Sequence, residues 1–196
     1  MDIWYLISKN VDECQKEGKR MLSPKESPLK GKTVLIVDDE PDVLDAIADC
    51  LDSCIIDKAQ DRNTAMEYLA SCTYDVVILD IMGVNGFDIL QETVEKGFPT
   101  VILTAHALNP ETLKKSMKLG AVVFLPKEKM TELRPFLEEV ILSGGKPVWK
   151  KFFHKLEDYF SRRFGPDWIE QDRFFREFKE EVLKQEAGDD ADSLKS

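Results

Sequence analysis

The sequence predicts a doubly wound parallel α/β sheet, and three observations predict it. Five short apolar runs recur between Thr33 and Leu125. Each is followed by apolar residues at helical spacing. Four of the five end on a carboxylate, a hydroxyl or a lysine. Continuous apolar runs of this kind are strands buried on both faces, as in a parallel sheet. Strict alternation with helices then implies right-handed crossovers.

The elements follow in chain order. Thr33–Val37 is the first strand and ends in Asp38-Asp39-Glu40-Pro41. Pro41 suits the first turn of a helix whose apolar face is Val43, Leu44, Ile47, Ala48 and Leu51. Cys54–Ala59 is a weaker strand, and Asp61 can cap a helix from about Arg62 to Ser71. Asp75–Leu79 is a third strand, ending at Asp80, and Phe87–Glu95 is a helix closed by Gly97. Thr100–Leu103 is a strand ending at Thr104. Asn109 and Pro110 open a helix that Gly120 closes. Ala121–Leu125 is the fifth strand, ending at Pro126-Lys127, and a helix follows from about Thr131 to Leu142.

Gly144-Gly145-Lys146-Pro147 reads as a linker. Beyond it, two amphipathic patterns meet at Gly165-Pro166-Asp167, where Asp167 is expected to cap the second helix. This helical hairpin holds ten of the chain's eighteen aromatic residues. The expected division is residues 1–31 as an N-terminal segment and linker, with Met1–Leu22 helical. Residues 32–143 form the α/β domain, 148–186 the hairpin extension and 187–196 a disordered tail.

Charge narrows the function classes. The net charge is -10, with residues 33–145 at -11, 1–32 at +2 and 146–196 at -1. Bulk electrostatics argue against nucleic acid as a partner. No apolar run approaches the roughly 20 residues that cross a bilayer, and no signal peptide is evident. A cytoplasmic chain without a membrane partner is expected. Cys14, Cys50, Cys54 and Cys72 lack metal-site spacing and read as small packing residues.

Asp38, Asp39, Asp80, Thr104 and Lys127 all fall just past the carboxyl ends of strands, where open α/β sheets bind ligands. Three carboxylates in one pocket are costly without a cation. With only oxygen ligands on offer, that cation is a hard one, Mg²⁺ or Mn²⁺. Metal, ammonium, hydroxyl and a free carboxylate together suit phosphoryl transfer onto an aspartate.

Four segments, Val34-Leu35-Ile36-Val37-Asp38-Asp39-Glu40, Asp75–Met82, Val101–Ala105 and Phe124-Leu125-Pro126-Lys127, resemble the receiver domain of two-component response regulators. The resemblance covers about Lys32 to Leu142 and implies a flavodoxin-like receiver fold. It implies Asp80 as the phosphoacceptor, attacking a phosphohistidine on a sensor histidine kinase. Asp39 and the Met82 carbonyl would ligate Mg²⁺ directly, and Asp38 mainly through water. Lys127 would pair with the phosphoryl group. Thr104 would move towards that group and Phe124 would turn inward, as switch residues. Plain core packing of Phe124 is the competing reading.

The sequence also departs from the family. Met82-Gly83-Val84-Asn85-Gly86 is two residues shorter than the common loop and lacks its proline. Glu128 replaces the usual proline after the lysine, so the Lys127–Glu128 bond is expected to be trans. His106, two after Thr104, occupies a position that tunes phosphoryl lifetime in the family.

Four functions compete. The favoured one is a phosphorelay regulator that signals through changed protein contacts, catalysing its own Asp phosphorylation and dephosphorylation without being a turnover enzyme. A transcription factor would need a basic recognition helix, which residues 146–196 lack. A haloacid-dehalogenase-type hydrolase would need an aspartate where Met82 stands. A degenerate receiver would act as a phosphorylation-independent docking module. The aromatic hairpin could pack on the last helix of the α/β domain or on a second copy of itself, and is read in favour of a self-association or partner-docking element. A homodimer through it, or an output protein seated on it, is therefore expected, with release on phosphorylation through the Gly144-Gly145 joint.

Overall fold

The computed structural model describes residues 27–105 and 109–181, with the backbone alone at 150 and 153–155. The expected helix at Met1–Leu22, His106, Cys14 and the tail from 187 lie outside the described residues. Five parallel strands form one sheet in the order β2-β1-β3-β4-β5: β1 Thr33–Val37, β2 Ile55–Ala59, β3 Val76–Leu79, β4 Thr100–Thr104 and β5 Val123–Pro126. Strands β3, β4 and β5 are buried throughout, which is why they read as unbroken apolar runs. The partly exposed edge strand β2 carries Asp57 and Lys58 and read weakly for that reason.

Helices α1 Pro41–Cys50, α2 Arg62–Ser71, α3 Gly86–Glu95 and α4 Pro110–Leu119 start and stop close to their sequence signals. Asp61 accepts from the Asn63 and Thr64 amides, and Asn109 from the Thr112 amide at 2.7 Å. The helix expected from Thr131 is instead a 3₁₀ turn, Lys127–Glu132, followed by α5 Leu133–Leu142. Pro135 then falls in the first turn of α5, where its missing N–H costs nothing.

Gly144 and Gly145 form an ordered helix cap. Both have positive φ, 67° and 76°, and their amides bond back to Ile141 and Val140. This is the Schellman pattern, which needs residues free to adopt a left-handed backbone. Helix α6, Trp149–Phe164, follows, and Gly165 with φ 98° turns the chain. The second hairpin helix, α7, covers 173–181 of the described residues. Its first turn is held by Asp172, which accepts from the Phe174 amide at 2.8 Å. Asp167 lies one turn earlier, in a turn closed by Gln171 N–H to Asp167 C=O. The cap falls at Asp172 because Lys114 of α4 fixes that carboxylate at 2.7 Å.

The hairpin packs on the α/β domain. Trp149 donates its indole N–H to the Ala121 carbonyl at 2.7 Å, and Phe152 stacks on Phe136 of α5 with centroids 3.8 Å apart. Phe160 and Trp149 flank Phe124 of β5 at 6.4 and 6.5 Å. Trp149, Phe152, Leu156, Phe160, Trp168, Ile169 and Phe175 are all buried within this one chain. The wide aromatic arc is thus largely filled from inside. At the other end, Leu29 is fully buried, and its carbonyl accepts from the Cys54 thiol at 3.4 Å. The stretch just before β1 therefore belongs to the core as well. Cys50 is buried and Cys54 half-buried, as the packing reading expects, whereas Cys72 is exposed.

Candidate functional site

Parallel pairing of β1, β3, β4 and β5 brings four strand ends to one edge. Asp38 and Asp39 follow β1, Asp80 follows β3, Thr104 closes β4 and Lys127 follows β5. Lys127 extends its ammonium into the middle of this edge. Its Nζ donates to Asp38 Oδ2 at 2.7 Å and Asp80 Oδ2 at 2.9 Å, and reaches Glu40 Oε1 at 3.3 Å. Lys127, Asp38 and Asp80 are 3%, 1% and 7% exposed, so this is a buried ion cluster in a low-dielectric setting. Thr104 is fully buried at the end of β4, opposite Pro126 in register.

Each carboxylate also braces the local backbone. Asp38 Oδ1 accepts from the Glu40 amide at 3.1 Å, and Asp80 Oδ1 from the Met82 amide at 3.1 Å. The Asp38 side chain therefore braces the turn and pairs with Lys127 together. The shortened turn after Asp80 is made possible by its glycines. A Cβ on Gly83 would overlap the Asp39 carboxylate, and one on Gly86 would sit 2.6 Å from the Asp80 carbonyl oxygen. Asn85 supplies the left-handed step, φ 54°, that starts α3. Met82 lies in this turn with its side chain exposed. A concavity of about 310 Å³, lined by residues 60–63 and 83–85, opens beside it.

The electrostatics follow from burial. Burial pushes the Asp38 carboxyl up to about 6, against the pull of Lys127. Burial also works against the Lys127 ammonium, yet Asp38 and Asp80 more than offset it and hold its pKa above the ordinary lysine value. The lysine thus stays charged while the carboxylates outnumber it. Asp38, Asp39 and Asp80 each present an oxygen within 4.8 Å of the others. An all-oxygen, net-negative donor set at this spacing fits a hard divalent cation such as Mg²⁺.

Three features escaped the sequence reading. Glu40 is a further carboxylate on Lys127. The Glu128 carboxylate, directly after Lys127, lies near the Tyr159 hydroxyl of α6, and burial together with Glu128 pushes that phenol up to about 12. The third is the pair of hairpin rings against Phe124, whose full burial accords with its core-packing reading. No cis peptide occurs among the described residues, so the Lys127–Glu128 bond is trans as expected.

Comparison with known proteins agrees with this fold. A family model described as the response regulator receiver domain matches residues 34–138. The transcriptional regulatory protein CutR of Streptomyces coelicolor is 34% identical over 99 residues, 48% of this chain and 46% of that protein. A protein-glutamate methylesterase/protein-glutamine glutaminase of Pyrococcus abyssi is 30% identical over 128 residues, 58% of this chain and 34% of the other. The solved structure of a CheY-like response regulator receiver domain protein from Methanospirillum hungatei aligns with a TM-score of 0.54 at 19% identity, covering 59% of this chain and 97% of that one. This chain spans less than half the length of those two curated relatives.

Proposed function

The chain belongs to the response regulator receiver domain family, and on that premise we propose that it accepts a phosphoryl group on Asp80 from a histidine kinase in the cytoplasm and signals through changed protein contacts. An Asp80 carboxylate oxygen attacks phosphorus, the P–N bond to the kinase histidine breaks, and an acyl phosphate forms. Mg²⁺ would be held by Asp39, the Met82 carbonyl and, through water, Asp38, and supplies charge neutralisation for the transferring group. Lys127, already on Asp80, pairs with the arriving phosphoryl oxygens. Thr104 donates its hydroxyl to the same group, and Phe124 follows it as the switch aromatic.

The observation that carries this reading is the buried Lys127 ammonium bridging Asp38 and Asp80 at 2.7 and 2.9 Å, with Asp39 beside them. Output by protein contact rather than DNA binding is supported by the -1 balance of residues 146–196. A second copy of this chain would have to use a surface other than the largely filled aromatic face. The test is labelling by acetyl phosphate. Mass spectrometry should place the phosphoryl group on Asp80 with Mg²⁺ present, and Asp80→Asn should abolish it. Equal labelling of Asp80→Asn would exclude the assignment.

A further inference from the structure

The turn between β3 and α3 holds a glycine whose conformation does not call for one. Six glycines among the described residues have positive φ, and Gly83 is not one of them. An ordinary residue could adopt its backbone, so space rather than conformation demands the glycine here. That space is filled from the end of β1. The three atoms nearest the place a Cβ would take are Oδ1, Cγ and Oδ2 of Asp39, and all three would overlap it. The Asp39 carboxylate thus lies against the Gly83 Cα, in the volume where any other residue would begin its side chain.

We propose that Gly83 is a positioning residue for the metal site: its missing side chain is the seat that keeps the Asp39 carboxylate beside Asp38 and Asp80. The inference rests on the Mg²⁺ part of the reading above and deepens it.

The turn is pinned on both sides of the seat. Ile81 and Val84 are each 3% exposed and anchor it in the core. The Gly86 amide donates to the Ile81 carbonyl at 3.2 Å, and the Met82 amide to Asp80 Oδ1 at 3.1 Å. Asp39, by contrast, is exposed, so its side chain is the partner that can give way. A methyl group at position 83 would therefore push the carboxylate towards solvent rather than unravel the turn. Its oxygen would leave the group in which Asp38, Asp39 and Asp80 lie within 4.8 Å of one another. The peptide joining Met82 to Gly83 also carries the Met82 carbonyl, the other direct ligand in that reading. One residue thus governs the spacing between the two.

The test uses the full chain with Mg²⁺ alone as the probe, read by calorimetry, beside thermal melts in chelator. Gly83→Ala should bind Mg²⁺ roughly ten- to hundred-fold more weakly than the parent chain. Its metal-free melt should stay within about two degrees of the parent. Asp39→Ala removes the three overlapping atoms, so in the double variant the new methyl meets no carboxylate. The double variant should bind Mg²⁺ no more weakly than Asp39→Ala alone, the non-additivity of two residues acting through one contact. If Gly83→Ala is strongly destabilised instead, the double variant decides. A melt restored to that of Asp39→Ala supports the seat, and one that stays low overturns it. Parent-like Mg²⁺ affinity of Gly83→Ala, or losses that add in the double variant, overturns the seat alone. Failure of the parent chain to bind Mg²⁺, or parent-like binding by Asp39→Ala, overturns the metal reading and the seat with it.

Discussion

The carboxyl edge of the sheet and the face under the hairpin lie at the two ends of strand β5, yet they are held by different physics. At the edge, one ammonium offsets buried carboxylates that outnumber it, and the arrangement is costly until a cation offsets the excess. On the face, Trp149, Phe152 and Phe160 bury apolar area against Phe124 and Phe136, and little polar cost stands against the gain. The first region is built to change its charge, and the second to keep its contacts. Their meeting point is a strand of four residues.

The largest effect should come from the apolar side. Trp149→Ala removes a buried indole and its bond to the Ala121 carbonyl. A loss of about 3–5 kcal/mol is expected. Thermal melting of the full chain should then fall by about 10 °C. A shift of a degree or less would mean that the hairpin is an appendage and the contrast false. On the polar side, Lys127→Met leaves Asp38 and Asp80 without their ammonium. The metal-free protein should lose about 3 kcal/mol. Adding Mg²⁺ should restore part of it, and paired melts in chelator and in Mg²⁺ read the difference.

Titration sharpens the contrast. Burial raises the Asp38 carboxyl to about 6, so without metal the folded state takes up a proton that the unfolded state does not hold between about pH 4 and 6. Through this group the metal-free fold gains stability as pH falls through 6. Mg²⁺ must displace that proton, so its affinity should drop about ten-fold between pH 7 and pH 5. Calorimetry at the two pH values checks the sign. The smallest effect belongs to Asp39, which is exposed. Asp39→Ala should weaken Mg²⁺ binding, and relief of like-charge repulsion should raise the metal-free melting temperature by a degree or two. A clear fall would contradict the clustered-carboxylate picture.

The same contrast explains what the sequence made legible. Buried parallel strands must be apolar along their length, so the residue at which each run stops is conspicuous. Asp38, Asp39, Asp80, Thr104 and Lys127 could therefore be placed at one edge before any contact was known. Docking contacts leave no such mark. Lys114 with Asp172, Tyr159 with Glu128 and Trp149 with the Ala121 carbonyl join residues whose local patterns are complete without each other. Asp172 could not be told from Asp167 as a cap until Lys114 stood beside it. Gly-Gly served equally well as a linker signal and as a helix cap; the amide bonds to Val140 and Ile141 decide for the cap. Aromatic density announced that a face had to be covered, but not that the chain covers it itself.

The short cap between α5 and α6 has one more consequence. A segment tethered this closely competes for its docking face at an effective concentration on the order of millimolar. An outside protein of micromolar affinity, present at micromolar levels, meets a face already taken. Any protein that needs the same strip of α4, β5 and α5 is thereby outcompeted. Occupancy of that face is set by linker length rather than by any repulsive side chain.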